Sequence, residues 1–281
     1  MTYLRVVPLT AGECLNVSAL TQRGAAWRVQ TYPAGFALLL HPTRGPVLFD
    51  TGYSARVVAA MRRWPGVLYG LLTPVRLDPR QTAAAGLARL GFAAMEVRDV
   101  IVSHLHADHI GGLRDFGAAR FHLDPAAYRP LRGLRGVAAI RKAFMPELLP
   151  DDFESRLQPL VFQPAPLGLS PFPVAADVFG DGSAYAVQVP GHAAGLIALI
   201  VRTTPQAALN GDGAGLTLLA SDAAWSVRGL REGLEVHPLA RIVFDDADAE
   251  RRSAGQLRGW LQAHPRARVI VSHDAPEARH A

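Results

Sequence analysis

The segment that decides the fold is residues 104–112, which read HLHADHIGG. Four side chains able to bind a metal ion fall within six residues here: His104, His106, Asp108 and His109. His104 and His106 are two residues apart, so in extended chain both imidazoles lie on the same side. Asp108 and His109 follow where the chain is predicted to turn into a helix. A strand end followed by a turn can therefore direct two pairs of ligands at two neighbouring points.

The sequence around this segment predicts strands that alternate with helices. Residues 100–102 form a continuous apolar run, typical of a buried strand, and they lead directly into the histidine-rich segment. Other strands are predicted at 36–40, 46–50, 184–189, 196–201, 216–220 and 269–271, and helices at 53–63, 81–90, 134–144 and 253–263. This alternation indicates a layered α/β domain, in which ligand sites gather at strand ends.

Three further strands each end in one ligand-type side chain. His192 follows the strand at 184–189, and the next two cases are Asp222 and His273, after the strands that end near residues 220 and 271. One metal ion needs three or four ligands and a pair of ions needs more, so these residues are candidates to complete the site. Other histidines lack this context and are interpreted as surface or structural residues: His41, His122, His237, His264 and His280.

Taken together, these motifs resemble the metallo-β-lactamase superfamily. Residues 104–112 resemble its signature, and PGH at 190–192, SD at 221–222 and SH at 272–273 resemble its later ligand motifs in the same order. FDTG at 49–52 resembles its early strand-end motif. The resemblance implies a four-layer αββα sandwich with the site at one edge of the two sheets. It also implies one domain over residues 1–281. Residues 124–173 are rich in Pro, Leu and Arg and lack clear alternation, which indicates a helical or irregular insertion, either a cap over the site or a surface excursion.

The resemblance also implies a role for each candidate ligand. A first metal ion would be held by His104, His106 and His192, a second by Asp108, His109 and His273, and both by Asp222. Asp50 would orient a ligating imidazole, with a solvated carboxylate at a strand end as the alternative. Imidazole and carboxylate ligands without a thiolate suit zinc, and also manganese, iron or cobalt. Two divalent metal ions, zinc foremost, are therefore the predicted cofactors.

Such a site predicts a hydrolase. Water that bridges two divalent cations forms hydroxide near neutral pH and can attack a carbonyl or phosphoryl centre. Asp108 is then a candidate to pass a proton to the leaving group, and Asp222 to hold the bridging geometry. The sequence has no Gly-x-Ser-x-Gly nucleophile elbow. Flavodiiron-type members carry Glu where this chain has His106, which favours a hydrolase over a redox protein. A non-hydrolytic metal or redox protein on the same fold is kept as the alternative from another class.

Within the superfamily, the sequence resembles the quorum-quenching lactonase branch at residues 179–183 and 221–224. This resemblance implies hydrolysis of a lactone or carboxylic ester, with an N-acyl homoserine lactone as one candidate. Lactonases of the branch usually carry Tyr three residues after the bridging Asp, and this chain has Trp225 at that position. Trp225 could donate a hydrogen bond to the substrate through its indole N–H, or it could be a packing residue. Methyl-parathion-hydrolase-like phosphotriesterases share the ligand set and are the second alternative. Apolar walls for an acyl chain, or else core or dimer contacts, are predicted at 71–75, Phe144 and Met145.

Composition argues against several other classes of protein. The formal charge is +5, but the basic residues are scattered arginines and Lys142 is the only lysine, so the basic stripe of a nucleic-acid-binding protein is missing. No apolar run reaches about 18 residues, so we expect no membrane span and no membrane partner. The single cysteine, Cys14, and the absence of a signal peptide favour the cytoplasm. The expected partner is a small ester or lactone, and a homodimer is left open.

Overall fold

The computed structural model describes residues 1–274, without the side chains of residues 242 and 243. Its strands are β1 Arg5–Val17, β2 Val29–His41, β3 Gly45–Phe49, β4 Val75–Arg76, β5 Asp99–Ile101, β6 Arg120–Leu123, β7 Leu157–Pro159, β8 Gln163–Pro164, β9 Val174–Asp177, β10 Ala184–Gln188, β11 Ile197–Arg202, β12 Leu216–Ser221 and β13 Arg268–Val271. Its α-helices are α1 Ser18–Thr21, α2 Ala55–Ala60, α3 Gly66–Leu72, α4 Ala83–Arg89, α5 Ala107–Ile110, α6 Pro125–Tyr128, α7 Gly136–Ile140, α8 Val227–Glu232 and α9 Ala247–Ala263. Short 3-10 helices lie at Pro79–Gln81, Ala94–Glu96, Leu113–Asp115, Pro146–Leu148, Phe153–Arg156 and Ala240–Val243.

The strands of the described chain form two sheets. The first has the order β4-β1-β2-β3-β5-β6-β7, and the second has the order β13-β12-β11-β10-β9-β8. In the first sheet β3, β5 and β6 are parallel neighbours. In the second sheet β10 and β12 are both antiparallel to β11, and β13 is parallel to β12. The carboxyl ends of β10, β12 and β13 therefore lie at one edge of the sheet, which is where the predicted ligands follow.

Buried apolar side chains divide into three clusters that separate four layers. The cluster between the sheets includes Leu39 from β2 and Leu199 from β11. A second cluster packs helices against the outer face of the first sheet and includes Leu87 from α4. A third packs α9 against the second sheet through Leu257 and Trp260. The predicted four-layer α/β sandwich is therefore confirmed.

Strand β1 and the first part of β2 were not predicted from the sequence. Their pairing carries a register shift between Thr10 and Glu13, and Gly12 lies there with φ 76°. A bulge of this kind breaks the alternation of apolar and polar residues, because the faces exchange across it. The first residues of β2, Val29–Thr31, are exposed, so no apolar run marks them as a strand. The sheet consequently has one more long strand, β1, than the pattern indicates, and β2 begins at Val29, seven residues before the predicted strand at 36–40.

Helix α9 also begins earlier than the predicted start at residue 253. The Asp246 side chain accepts hydrogen bonds from the backbone N–H groups of Asp248 and Ala249, at 2.9 Å each, and so caps the helix. The added first turns are polar and charged, so they carry little apolar periodicity. Although α9 is the longest helix of the described residues at 17 residues, none of their helices is long and apolar enough to span a bilayer.

The segment from 124 to 173 contributes to both sheets. Strand β7 pairs with β6 at the edge of the first sheet, and β8 pairs with β9 at the edge of the second. Phe144 and Met145 are buried in the cluster that packs on the outer face of the first sheet, which fits the core alternative for these two residues. The interpretation of the segment as an insertion in a single domain stays a prediction.

Three of the histidines interpreted as surface or structural are buried and hydrogen-bonded away from the strand-end cluster. His41 contacts Asp181 at 3.0 Å and His122 contacts Asp99 at 2.8 Å. The two ring nitrogens of His264 contact the carbonyl oxygens of residues 260 and 209. These rings have structural partners. His280 lies outside the described residues.

Candidate metal centre

Seven side chains that the sequence singled out meet at the edge where the two sheets come together. They form two groups that could each hold a metal ion: one of His104, His106, His192 and Asp222, the other of Asp108, His109, His273 and Asp222. Within each group, one ligand atom of every residue lies within 4.8 Å of the others. Asp222 belongs to both groups and is the residue they share.

Strand ends and one short helix position these side chains. His104 follows β5, and helix α5 presents Asp108 and His109 from a single turn. The backbone is left-handed at two positions beside the site, Asp50 with φ 62° and Ser221 with φ 48°. Such conformations cost roughly 1–3 kcal/mol each and persist where the surrounding structure fixes them. The strands therefore end in sharp turns that direct polar side chains inward.

Two imidazoles of the first group are held neutral. Burial, and next the neighbouring His109 ring, hold the pKa of His104 well below its usual value. Burial, and next the nearby His192 ring, lower the pKa of His106 to about 3. A neutral imidazole has the free electron pair that a metal ion requires. His106 Nδ1 and His192 Nε2 lie 3.1 Å apart, so their electron pairs converge on one point.

In the second group, imidazole nitrogens lie within hydrogen-bond distance of carboxylate oxygens that are also acceptors. His273 Nδ1 lies 3.0 Å from the carbonyl oxygen of Pro33, which fixes that nitrogen as the donor. His273 Nε2 is then an acceptor, yet it lies 3.1 Å from an oxygen of Asp222. His109 Nε2 lies 3.2 Å from the other Asp222 oxygen. Two acceptors at this distance repel each other unless a cation or a proton lies between them.

The charges of this group favour a cation at the same place. Burial opposes a charged ring at His109, but Asp222 and Asp108 outweigh it and raise the pKa of His109 well above its usual value. Burial likewise opposes the charged form of His273, and Asp222 again raises its pKa. The negative charges of Asp222 and Asp108 therefore stabilise a positive charge within the cluster. Among the described residues, His104 Nε2, His109 Nε2 and Asp222 Oδ1 are buried without a hydrogen-bond partner, so the donor set fits metal ions.

Asp50 supports the cluster from beneath. One carboxylate oxygen accepts from Ser103 N–H at 2.8 Å. The other accepts from Ser103 Oγ–H at 2.7 Å and lies 2.8 Å from His109 Nδ1, which donates to it. Ser103 Oγ also accepts from His104 Nδ1 at 3.0 Å and from Ser221 Oγ–H at 2.8 Å. One carboxylate therefore fixes the orientation of two imidazoles. The contacts of Asp50 agree with its predicted orienting role, and they do not fit a solvated carboxylate.

Ser103 and Ser221 were not assigned a role from the sequence. Each lies directly before a candidate ligand, His104 and Asp222 respectively, and both are buried. A buried hydroxyl must find a partner, so a serine at a strand end beside a ligand is a signal that could have marked both residues. The carbonyl of Pro33, which accepts from His273, has no such signal because every residue has a backbone carbonyl.

Trp225 lies at the rim of the cluster. Its indole stacks on the His273 ring, with ring centroids 4.5 Å apart and planes 22° apart, and Tyr32 packs edge-on against it. These three rings line a cavity of about 530 Å³ that opens beside the second group. In contrast, Leu71 and Leu72 of the predicted apolar wall are exposed, at 73% and 79%. The cavity has the size of a small-molecule site.

Comparison with known proteins gives the same assignment as the geometry. Residues 32–204 match the family described as the metallo-beta-lactamase superfamily. The N-acyl homoserine lactonase AttM of Rhizobium johnstonii is 29% identical over 234 residues, which are 81% of this chain and 79% of that relative. The metallo-hydrolase mfmC of Annulohypoxylon moriforme is 32% identical over 168 residues, which are 56% of this chain and 41% of that protein.

Solved structures are similar in fold. The AiiA protein of B. thuringiensis, with N-decanoyl-L-homoserine bound at its active site, aligns with a TM-score of 0.71 and 18% identity over 98% of this chain and 94% of its own. AidC, described as a dizinc quorum-quenching lactonase, aligns with a TM-score of 0.63 and 16% identity over 96% of this chain and 87% of its own. The family match covers more than half of the sequence, and the fold agrees with it. The chain belongs to the metallo-beta-lactamase superfamily.

Proposed function

We propose that this protein is a dinuclear metal-dependent hydrolase of lactones or carboxylic esters, with N-acyl homoserine lactones as the first substrates to test. The observation that carries the proposal is the position of Asp222, which lies in both four-residue groups. A carboxylate shared in this way suits two ions a few ångströms apart. The lactonase names of AttM and of the structural neighbours support the choice of substrate class.

Each residue of the cluster has a part in the proposed site. His104, His106 and His192 would hold one ion and Asp108, His109 and His273 the other, with Asp222 between them. When bound, two divalent ions supply a Lewis acid for the substrate carbonyl and lower the pKa of a shared water. Zinc fits these ligands best, while manganese, iron and cobalt also accept them.

Asp108 is the proposed proton carrier of the reaction. Its oxygen Oδ2 lies 3.5 Å from His109 Nε2 and 3.8 Å from His273 Nε2. The Asp108 side chain is 10% exposed against 4% for Asp222, so Asp108 is the carboxylate nearer to the solvent side. Opening a lactone leaves an alkoxide that needs a proton, and the Asp108 carboxylate would take that proton from the attacking water and pass it to the leaving oxygen.

The substrate is proposed to occupy the cavity beside Trp225. A single indole N–H can donate to a carbonyl oxygen but cannot accept a proton, so Trp225 can orient an ester without taking part in proton transfer. Tyr32 and His273 complete this wall, and the backbone carbonyl of Pro33 holds His273 in place. The cytoplasmic location and the homodimer stay predictions.

The test is a substrate panel combined with metal analysis. Purified protein loaded with zinc is expected to contain two ions per chain and to hydrolyse at least one acyl lactone or aryl ester. The matched control is His106→Ala, which removes a candidate metal ligand. Its kcat/KM should fall by more than about 100-fold, because removing a ligand has a larger effect than removing a residue that only orients one. Turnover of phosphotriesters alone would favour the organophosphate hydrolase. Redox activity without hydrolysis would favour a redox protein.

The role of Trp225 has its own test. Trp225→Phe keeps an aromatic ring against His273 but removes the N–H donor, so kcat/KM for the preferred lactone is expected to fall roughly 10-fold, the value of one hydrogen bond. The control is Trp27→Phe at an exposed position that contacts His237. Equal kcat/KM for wild type and Trp225→Phe would leave Trp225 as a packing residue only.

A further inference from the structure

Three ligand-type histidines have a partner for the nitrogen that faces away from the cluster. His109 Nδ1 contacts Asp50, His273 Nδ1 contacts the carbonyl of Pro33, and His104 Nδ1 contacts Ser103 Oγ. Such partners fix the ring orientation and the tautomer, so that the opposite nitrogen keeps its free electron pair. The structure therefore supports each of these three rings from behind.

His192 lacks such a partner in the described part of the chain. Its Nε2 lies 3.1 Å from His106 Nδ1 and 3.3 Å from Asp222 Oδ2, so this nitrogen faces the cluster. Its Nδ1 is buried and makes no hydrogen bond to the residues described. A neutral imidazole that offers Nε2 to a metal ion carries its hydrogen on Nδ1, and a buried N–H needs an acceptor.

Glu250 carries a buried carboxylate near this ring, with its oxygens more than 4.0 Å from the His192 nitrogens. Its Oε2 is also buried without a hydrogen-bond partner among residues 1–274. The cation nearest to it is Arg241, whose Nε is 4.0 Å from Oε2, too far for a hydrogen bond. Arg241 instead lies 3.4 Å from Glu235. Arg241 Nε is itself buried without a hydrogen-bond partner, so Glu250 and Arg241 form a long ion pair in which Oε2 receives no hydrogen bond from the described residues.

The backbone holds Glu250 against the loop that carries His192. A Cβ atom placed on Gly191 would lie 2.1 Å from the backbone nitrogen of Glu250, so the first turn of α9 is packed directly on this loop. The carbonyl of Gly191 also accepts from Asp246 N–H at 3.0 Å. A cavity of about 40 Å³ is lined by Glu250, Phe244 and Asp222, and the Phe244 ring packs edge-on against His192 with centroids 5.2 Å apart. The Glu250 side chain therefore borders open space on the side of the loop that carries His192.

We infer that Glu250 is a positioning residue that accepts the Nδ1 hydrogen of His192 and so directs Nε2 of that ring into the metal centre. This inference rests on the proposed dinuclear site. Glu250 would orient His192 as Asp50 orients His109. Asp50 follows a strand of the first sheet, whereas Glu250 lies on α9, which packs on the second sheet. Helix α9 thereby contributes to the centre although it carries none of the seven ligands.

Zinc affinity measured by competition with a chelating indicator tests this inference without reference to turnover. Glu250→Leu is expected to weaken one of the two zinc sites between about 10- and 100-fold, the usual effect of removing an outer partner of a ligand. Glu250→Gln keeps an oxygen acceptor and should recover most of the affinity. The matched control is Asp248→Asn, which removes a charge from an exposed position on the same turn of α9 and should leave both sites unchanged.

Two results would overturn the inference. One is Glu250→Leu with both zinc affinities equal to wild type. The other is an equal loss in Glu250→Leu and Glu250→Gln together with a lower thermal midpoint of the metal-free protein, which would indicate a structural role. A wild-type chain that binds no zinc would instead overturn the proposed function, so the two failures are distinguishable.

Discussion

Asp222→Asn is expected to abolish stable binding of both metal ions and to lower kcat/KM by on the order of 10³-fold or more, equivalent to about 4 kcal/mol of transition-state stabilisation. The reason is the shared position of this carboxylate, whose two oxygens lie 3.2 Å from His109 Nε2 and 3.1 Å from His273 Nε2. An amide has one oxygen acceptor and places an N–H₂ group where the second oxygen stood. Elemental analysis of metal per chain, with steady-state kinetics, measures both effects.

The control for Asp222→Asn is Asp181→Asn. Asp181 also contacts a histidine, His41, at 3.0 Å, but that pair is not part of either candidate metal group. The control is expected to keep two ions per chain and wild-type kinetics. If Asp222→Asn kept two ions and normal turnover, the two groups could not share a bridging carboxylate, and the dinuclear proposal would have to be abandoned.

Asp50→Asn is expected to weaken metal binding between about 10- and 100-fold although Asp50 is not a candidate ligand. The wild-type carboxylate accepts three hydrogen bonds, from Ser103 N–H, Ser103 Oγ–H and His109 Nδ1. With an amide, one of these donors faces an N–H₂ group. His109 can avoid the clash by moving its hydrogen to Nε2, which removes the electron pair that a metal ion needs. Chelator competition measures the change in affinity.

Asp99→Asn separates this effect from a general loss of stability. Asp99 is also buried on the first sheet and contacts His122 at 2.8 Å and Arg120 at 2.8 Å, away from the seven ligands. Both variants should lower the thermal midpoint, because a buried donor loses its carboxylate acceptor. Only Asp50→Asn should change metal affinity. Equal metal affinity of Asp50→Asn and Asp99→Asn would remove the orienting role of Asp50.

The parts of the fold that could be predicted are those with uninterrupted apolar runs. Strands β10, β11 and β12 are buried along nearly their whole length, and their predicted ends agree with the structure to within one residue. Strand β1 escaped prediction because its bulge at residues 10–13 changes which face each side chain occupies. The start of α9 escaped prediction because a cap and charged turns, rather than an apolar stripe, define it.

The candidate site also has parts that the sequence predicts and parts that it does not. All seven candidate ligands could be named from the sequence, because they follow apolar runs and because the spacing in residues 104–109 is rare by chance, and the structure brings their side chains together. Their outer partners could be predicted only in part. Asp50 stands in a recognisable strand-end motif, whereas Glu250, the proposed partner of His192, lies in the first turn of α9 and is brought to this loop only by packing of its backbone on Gly191. Contacts between residues 58 positions apart depend on how α9 docks, and no local pattern encodes that docking.

The hydrogen bond from Ser221 Oγ to Ser103 Oγ joins the two sheets directly under the metal ligands. The first sheet carries residues 104–109 and the second carries His192, Asp222 and His273, so neither half of the protein holds a complete ion site alone. The two serines therefore help to align the half-sites, together with the hydrogen bonds from Ile197 N–H to the carbonyl of Ser103 and from Gly35 N–H to the carbonyl of Ser272. A chimaera that takes one sheet from a relative without serine at its position would lose this hydrogen bond, and restoring that serine is expected to bring the two halves of the candidate centre back into register.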